Sequence, residues 1–168
     1  MGAVCPAPGG MGVLVRTLCA ADRQAVQEAL TQCGAFNETE VQVALEMVDA
    51  GLSGDYDLLA VEFSGVFAGY ACFGKATLTL DSWYLYWICI HPDVQGRGAG
   101  RALQAAVERH VRDHGGRRIV LETSSRPDYD RARRCYERAG FEVAGRIPDF
   151  YRPGDDCVIF SKLLEEHA

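Results

Sequence analysis

Several common sequence features are missing from this chain, and each absence excludes a class of protein. The longest apolar run, from Trp83 to Ile90, falls far short of the roughly 20 residues that a membrane-spanning helix needs. Residues 1–12 mix Gly, Pro and Ala without a basic or a long apolar segment, so we expect a flexible tail here and no secretory signal. No repeat, low-complexity tract or linker divides the remainder, which predicts a single domain over residues 13–168.

The seven cysteines lack the patterns that give cysteine a defined role. They stand singly, their number is odd, and no Cys-x-x-Cys pair occurs among them. Several fall inside apolar segments with the composition of strands. This distribution predicts reduced, mostly buried thiols in a cytoplasmic protein, and neither a disulfide framework nor a nucleophilic cysteine.

A surplus of positive charge is missing as well. The chain carries 17 Lys and Arg against 23 Asp and Glu, which gives a net charge of −6. Nucleic-acid binding depends on contacts from Lys and Arg to phosphates, so this balance argues against a nucleic-acid partner. It is compatible with a cationic substrate such as an amine.

The residue patterns predict a mixed α/β (α+β) fold. Helical spacing extends from Asn37 to Gly51, with Asn37 and Glu40 as a capping pair and Gly51 as the expected end. The whole order is a strand (13–18), two helices (22–33, 37–51), a hairpin (57–63, 66–74), a strand (83–90), a helix (98–114), a strand (118–123), a helix (130–139) and two strands (141–147, 157–163). The strand–helix–strand connection implies a central parallel pair in a mostly antiparallel sheet of about six or seven strands, flanked by about four helices.

The most informative segment joins a strand to a helix through a loop with alternating glycines. Small residues in such a loop let successive backbone N–H groups face one point, and the start of the helix adds positive potential. Together these features favour binding of a pyrophosphate, with charge-assisted contacts from Arg97 and Arg101. A glycine-rich turn without a ligand explains two glycines well but three alternating ones poorly. The loop residues are Gln95, Gly96, Arg97, Gly98, Ala99, Gly100 and Arg101.

Three other ligand motifs are incomplete. A dinucleotide fingerprint counted from Gly96 or Gly98 has Arg101 or Leu103 in place of its third glycine. A near match to an ATP-binding phosphate loop ends in Ala76, which lacks the hydroxyl that binds Mg²⁺. The pair His110 and His114 shares a helix face, but without a third ligand it predicts helix-end cations and no metal site.

At these residues the sequence resembles the GNAT superfamily, the acyl-CoA-dependent N-acyltransferases. The family signature Gln/Arg-x-x-Gly-x-Gly/Ala is matched by Gln95-Gly-Arg-Gly-Ala-Gly100, which follows the similarly typical Ile90-His-Pro-Asp. Downstream, Ala132-Arg-Arg-Cys-Tyr-Glu-Arg-Ala-Gly-Phe141 looks like the family's Ala-x-x-x-Tyr-Glu-x-x-Gly-Phe helix. The element order is similar over about residues 14–164. Two further segments, 85–88 and 147–156, look like a subgroup of bacterial members.

The resemblance implies a GNAT-like sheet, an acyl donor and a set of residues that bind it. The donor would be acetyl-CoA, with no metal required. Backbone groups of Ile88, Cys89 and Ile90 would pair with its pantetheine arm, and residues 95–101 would hold its pyrophosphate. The acceptor would be the primary amine of a small molecule or a peptide, and the protein would be a monomer or a homodimer.

The resemblance also implies direct attack of a neutral amine on the thioester, with two side chains moving protons. Tyr136 would protonate the departing thiolate, although a phenol's reference pKa of roughly 10 lies above a thiol's roughly 8.5. Glu122 would be the base, because Ile119-Val-Leu-Glu-Thr is similar to the strand that carries the base in ribosomal-protein N-terminal acetyltransferases. A water chain to another carboxylate is the alternative base. Packing and solvent exposure are the alternative roles of Tyr136 and Glu122.

Acceptor selection is expected to depend on three segments. These are the helix over residues 37–51, the aromatic residues Trp83, Tyr84 and Tyr86, and a loop over residues 148–156. In that loop Asp149, Asp155 and Asp156 can receive an ammonium group or form a solvated turn. Two hypotheses compete with an enzyme: a catalytically idle acyl-CoA-binding regulatory protein, which should lack an acid and a base, and an interaction module, against which the phosphate loop argues.

Overall fold

A computed structural model describes residues 12–164 of the chain. Residues 1–11 of the predicted tail lie outside the described residues. The strands are β1 (Val13–Thr17), β2 (Asp57–Phe63), β3 (Val66–Lys75), β4 (Ser82–Ile90), β5 (Arg118–Ser124), β6 (Glu142–Arg152) and β7 (Asp155–Leu163). The α-helices are α1 (Arg23–Cys33), α2 (Glu38–Leu52), α3 (Ala99–Asp113) and α4 (Asp130–Arg138), and short 3-10 helices cover Ala20–Asp22, Pro92–Val94 and Pro127–Tyr129.

The seven strands form one sheet in the order β1-β2-β3-β4-β5-β7-β6. Neighbouring strands are antiparallel except for β4 and β5, which are parallel. The helix α3 makes the connection between these two strands, as a parallel pair requires. The predicted fold class and element order are therefore confirmed.

Each face of the sheet is covered by helices. On one face, Leu103, Val107 and Val111 of α3 pack against a cluster that includes Leu85 and Leu121. On the other face, buried residues of α1 and α2 pack against strands β2 and β3; they include Val26, Leu30, Leu45 and Val48. Burying one such side chain fully contributes about 1.5–3 kcal/mol, so the two layers fix the sheet between them. None of the helices in residues 12–164 has the length and apolarity to span a bilayer.

Local sequence signals form the predicted structure at a hairpin turn and at a helix N-cap, but not at the end of α2. Ser64 and Gly65 both have positive φ (52° and 79°), which makes the β2–β3 turn of the predicted hairpin. The side chain of Asn37 accepts from the Glu40 N–H (2.9 Å), and the Glu40 carboxylate accepts from the Asn37 N–H (2.7 Å). Gly51 does not end α2, which continues to Leu52. A Cβ at Gly51 would lie 2.7 Å from the Leu58 side chain, so the glycine allows α2 to approach β2.

The hairpin of β6 and β7 differs from its prediction. The segment 148–156 was expected to be a loop, but β6 extends to Arg152 and β7 begins at Asp155, which leaves only residues 153–154 as the turn. The pairing register shifts between Ile147 and Arg152, where Asp149 adopts a positive φ of 52°. The sequence predicted a loop because Pro148 and Pro153 are typical of loops, and it gave no sign of a bulged strand.

Candidate active site

The parallel strands β4 and β5 separate after a short paired stretch. Residues 82–84 pair with residues 118–120, although β4 continues to Ile90 and β5 to Ser124. Beyond Tyr84 the edge of β4 therefore presents backbone groups that β5 does not use. This split opens at the carboxyl ends of two parallel strands, where ligands bind in sheets that contain parallel strands.

A β-bulge in β4 sets which side chains face each side of the split. Cys72 of β3 lies opposite Trp87, and Phe73 lies opposite Leu85, so Tyr86 is the extra residue. Leu85 packs into the α3 layer, whereas Trp87 packs into the layer of α1 and α2. The ring of Tyr86 lies 5.2 Å from that of Tyr56, which belongs to the α1/α2 layer. The bulge thus places Tyr86 and Trp87 on the same face.

The predicted phosphate loop follows β4 directly and ends at the first turn of α3. Gly96 and Gly98 have φ values of 81° and 92°, and Gly98 is the N-cap of α3. Apart from the glycine and its two chain neighbours, no heavy atom of the described residues lies within 4 Å of the place where a Cβ would stand at either glycine. Because the first N–H groups of a helix have no partner within it, this end offers donors together with open space. The geometry fits an anionic group such as a pyrophosphate.

Two side chains of the loop contact other segments of the protein. The Gln95 amide donates to the carbonyl of Ile90 at 2.9 Å. The guanidinium of Arg97 lies 5.7 Å from the centre of the Phe63 ring, within the range of a cation–π contact. Arg101 is exposed in the first turn of α3. The cofactor roles predicted for residues 95–101 remain predictions, and the loop brings those residues together at one end of the split.

Tyr136 lies on α4, which runs along the same face of the sheet as α3. Its half-buried ring packs near Phe141 and Phe160, with ring centres 6.1 and 5.8 Å away. Within residues 12–164 the hydroxyl makes no hydrogen bond. Burial raises the pKa of Tyr136 well above its ordinary value, and Cys135, Tyr129 and Cys89 add to the shift. Tyr136 packs against the same cluster as Ile88 and Ile90 of β4, which places it near the split. The raised pKa keeps its hydroxyl protonated.

Glu122 lies on the opposite face. Its neighbour Leu121 points into the core beneath α3, so alternation along β5 directs the exposed Glu122 to the α1/α2 side. Burial raises the pKa of the Cys157 thiol, and the Glu122 carboxylate adds to this shift. The hydroxyl of Tyr151 in turn donates to Cys157 Sγ at 3.8 Å. Sequence reasoning included Tyr151 only within the acceptor-selecting segment 148–156 and gave Cys157 no role at the site, because only the pairing of β6 with β7 brings them to Glu122.

The three aspartates of the β6–β7 hairpin are engaged within the hairpin and β5. Asp149 accepts from the Gly154 N–H (2.6 Å), and Asp156 accepts from the Asp149 N–H (2.9 Å) and from Arg146 (2.5 Å). Asp155 is buried and accepts from the Ser124 hydroxyl at 2.5 Å. The expectation of a solvated turn is therefore wrong for Asp155, whose side chain joins β7 to β5.

Trp83, expected to contact the acceptor, faces the core instead. It is 5% exposed, and its ring lies near those of Phe73 (6.2 Å) and His110 (5.8 Å) beneath α3. The physical reason is the alternation of β4 before the bulge, which turns Trp83 and Leu85 to one face and Tyr84 to the other. His110 also approaches Asp57 at 3.2 Å, and burial lowers the pKa of His110. Residues 12–164 contain no cluster of three or more metal-ligating side chains.

The loop between α1 and α2 crosses the split on the same face as Glu122. The ring of Phe36 meets that of Trp87 edge to face, with centres 5.1 Å apart. On the other side, the Tyr129 hydroxyl donates to the Ala35 carbonyl at 3.2 Å. The loop is thus attached both to β4 and to the segment that follows β5. Phe36 and Ala35 were not singled out from the sequence, since neither carries a recognisable motif.

Comparisons with known proteins identify the family and match the fold. The model of the acetyltransferase (GNAT) family matches residues 23–141. A solved GNAT-family protein from Desulfovibrio desulfuricans has a TM-score of 0.86 and 37% identity, over 92% of this chain and 100% of that one. A protein from Salmonella typhimurium, described as an acetyltransferase and solved with its cofactor acetyl-CoA, has a TM-score of 0.69 and 25% identity, over 93% and 96%.

A curated relative is the aminoglycoside N(6')-acetyltransferase type 1 of Stenotrophomonas maltophilia. It is 38% identical over 74 residues, which are 44% of this chain and 44% of that protein. The match therefore spans less than half the length of this curated relative.

Proposed function

Because the chain belongs to the acetyltransferase (GNAT) family, we propose that it transfers an acetyl group from acetyl-CoA to the primary amine of a small molecule or a peptide. The observation that carries the proposal is the split between β4 and β5, with the loop of N–H donors at one end and a titratable side chain on each face. Tyr136 lies on the α3/α4 face and Glu122 on the α1/α2 face.

The residues around the split fit acetyl-CoA. The N–H groups of Gly98, Ala99 and Gly100 at the start of α3 would bind the pyrophosphate, with Arg97 and Arg101 near by. The free edge of β4 at Ile88, Cys89 and Ile90 would pair with the amides of the pantetheine arm. The relative from Salmonella typhimurium was solved with its cofactor acetyl-CoA, which supports acetyl-CoA as the donor.

Opposite faces for the two proton-moving groups suit direct transfer. The amine has to approach the thioester carbon from one side while the thiolate departs toward another. Glu122 would accept a proton from the amine on the α1/α2 face, directly or through water. Tyr136 would give its proton to the thiolate on the α3/α4 face. Each such proton transfer contributes typically 10²–10⁴-fold to a rate.

A screen of primary amines with acetyl-CoA tests the proposal, with free thiol and acetylated amine measured together. We expect equal amounts of both products with at least one amine, and no thiol release without an amine. Binding of acetyl-CoA in a calorimeter without transfer to any amine would instead favour the catalytically idle regulatory protein. If the protein neither binds acetyl-CoA nor transfers its acetyl group, both the proposal and its alternative are wrong.

A further inference from the structure

Exposed aromatic rings flank the split on the α1/α2 face. Tyr84 and Tyr86 on β4 are 37% and 40% exposed, and their ring centres lie 5.7 Å apart. Tyr56 extends this row, with its ring 5.2 Å from that of Tyr86. On the β5 side Tyr151 is 46% exposed and lies beside Cys157 and Glu122. The row and Tyr151, called here the tyrosine surface, leave flat apolar area open where the acceptor would approach.

Most carboxylates near this face are already bonded within the protein. Asp149, Asp155 and Asp156 hold the β6–β7 hairpin together and fix it to β5. Glu40 accepts from the N–H of Asn37 as part of the α2 cap. Glu122 differs, since within residues 12–164 its carboxylate has neither a backbone N–H donor nor an ion pair with Lys or Arg. Beside the tyrosine rings, Glu122 is therefore the carboxylate whose oxygens are left open to an acceptor.

We infer that the acceptor is a small monoamine whose amine is carried on a planar aromatic group, as in an arylalkylamine. This inference rests on the proposed function and specifies its acceptor. A polycation would need several free carboxylates, whereas one carboxylate beside tyrosine rings matches one ammonium group by charge and by cation–π attraction. A flat ring on the acceptor stacks on Tyr84 and Tyr86 in the offset or edge-on arrangements that aromatic pairs adopt.

The loop between α1 and α2 also restricts the acceptor. Its contacts through Phe36 to Trp87 and through Ala35 to Tyr129 close the face toward the ends of β4 and β5. An acceptor consequently enters from the side of Tyr84 and Tyr86. We expect this loop to restrict a branched polycationic amino sugar more than a flat monoamine.

Two matched amines test the inference directly. 2-Phenylethylamine and 2-cyclohexylethylamine have the same carbon skeleton, but only the first has a planar ring. We expect kcat/KM for 2-phenylethylamine to exceed that for 2-cyclohexylethylamine by roughly 3- to 10-fold, and to exceed those for spermidine and kanamycin. Equal values for the matched pair, or faster transfer to spermidine or kanamycin, would overturn the inference while leaving the proposed function intact. Absence of transfer to all four amines would overturn the inference, and the wider amine screen would then decide the proposed function.

Variants of Tyr86 test whether the tyrosine surface causes the preference for the aromatic amine. Tyr86→Leu should reduce the preference for the aromatic amine to near one, whereas Tyr86→Phe, which keeps the ring, should retain it. Leu78→Ala, at a fully exposed residue of the β3–β4 loop, is the control and should match the parent. A preference that survives Tyr86→Leu and also Tyr84→Leu would contradict recognition by the tyrosine surface. Thermal unfolding checks that each variant is folded.

Discussion

The side-chain amide of Gln95 donates a hydrogen bond of 2.9 Å to the carbonyl of Ile90. This bond joins the start of the glycine loop to the last residue of β4. It holds together the two segments that would bind the pyrophosphate and the pantetheine arm. Gln95 was predicted to contact the cofactor, which remains a prediction, and its observed partner indicates that its side chain also positions the loop.

Removing this bond should weaken donor binding without abolishing it. Gln95→Ala loses one partly buried hydrogen bond, worth about 1 kcal/mol, so the Kd for acetyl-CoA should rise roughly fivefold. Calorimetric titration measures it. The control is Gln24→Ala, which removes a hydrogen bond to Glu28 on the exposed surface of α1 and should not change the Kd. An unchanged Kd in a folded Gln95→Ala variant would show that the bond does not organise the loop.

Gly98→Glu should abolish acetyl-CoA binding. The positive φ of 92° disfavours any L side chain, and the carboxylate would occupy the open space that the pyrophosphate needs. Gly115→Glu is the matched control, because Gly115 has a φ of 75° and open surroundings at the other end of α3. Both variants should lose stability, but only the first should lose binding in calorimetry. Full affinity in folded Gly98→Glu would refute the phosphate-loop assignment.

Glu122→Gln should slow turnover while leaving the Kd for acetyl-CoA unchanged. The loss should be greatest at lower pH, where amines are least often deprotonated without help, and within about 10²–10⁴-fold or smaller if water substitutes. A pH–rate profile of the variant beside that of Glu142→Gln, an exposed change on β6, measures it. Identical profiles for Glu122→Gln and the parent would exclude Glu122 as the base and favour a water chain.

The ion pair of Arg16 and Asp22 should make stability depend on pH. The hydrogen bond from Arg16 (2.7 Å) lowers the pKa of Asp22 from 3.8 to about 2. A carboxyl group whose pKa is lower in the folded state stabilises the fold at any pH above its unfolded-state pKa. This stabilisation is lost as the pH falls through the folded-state pKa. Asp22→Asn should therefore cost on the order of 1–2 kcal/mol near neutral pH, and the difference from the parent should shrink between about pH 4 and pH 2. Urea unfolding of both proteins measures it, and a difference independent of pH would contradict the assignment.

The parts of the fold that depend on local patterns could be predicted from the sequence. The cap at Asn37, the turn at Ser64 and Gly65, and the loop around Gly98 each depend on residues a few positions apart. Tyr136 was found for a different reason, since its motif resembles that of a known family. Its approach to the split is consistent with that resemblance but does not test its role.

Features that depend on pairing between distant strands could not be predicted. The bulge at Tyr86 arises from the register with β3, and it decides which aromatic residues of β4 reach the α1/α2 face. The prediction that Trp83 contacts the acceptor was wrong for this reason. The face to which its side chain points follows from alternation along β4, and the register of β4 was unknown. The contact of Tyr151 with Cys157, and the burial of Asp155 against Ser124, likewise depend on how β5, β6 and β7 align.

The pKa of Tyr136 bears on how its role can be measured. Burial raises that pKa, so the phenol stays protonated throughout the neutral range. Any alkaline loss of activity near neutral pH must then come from another group. A pH profile is therefore a poor test of Tyr136, and removal of its hydroxyl is a better one.

The most direct test of the account is the single-turnover rate of acetyl transfer by Tyr136→Phe, measured with a good amine acceptor. The ring that packs near Phe141 and Phe160 is kept, so the fold should survive. If the phenol protonates the departing thiolate, the chemical rate should fall by roughly 10²-fold or more while the Kd for acetyl-CoA stays nearly unchanged. A chemical rate equal to that of the parent, or a weakened Kd with kcat within a few-fold, would contradict the assignment of Tyr136 as the acid.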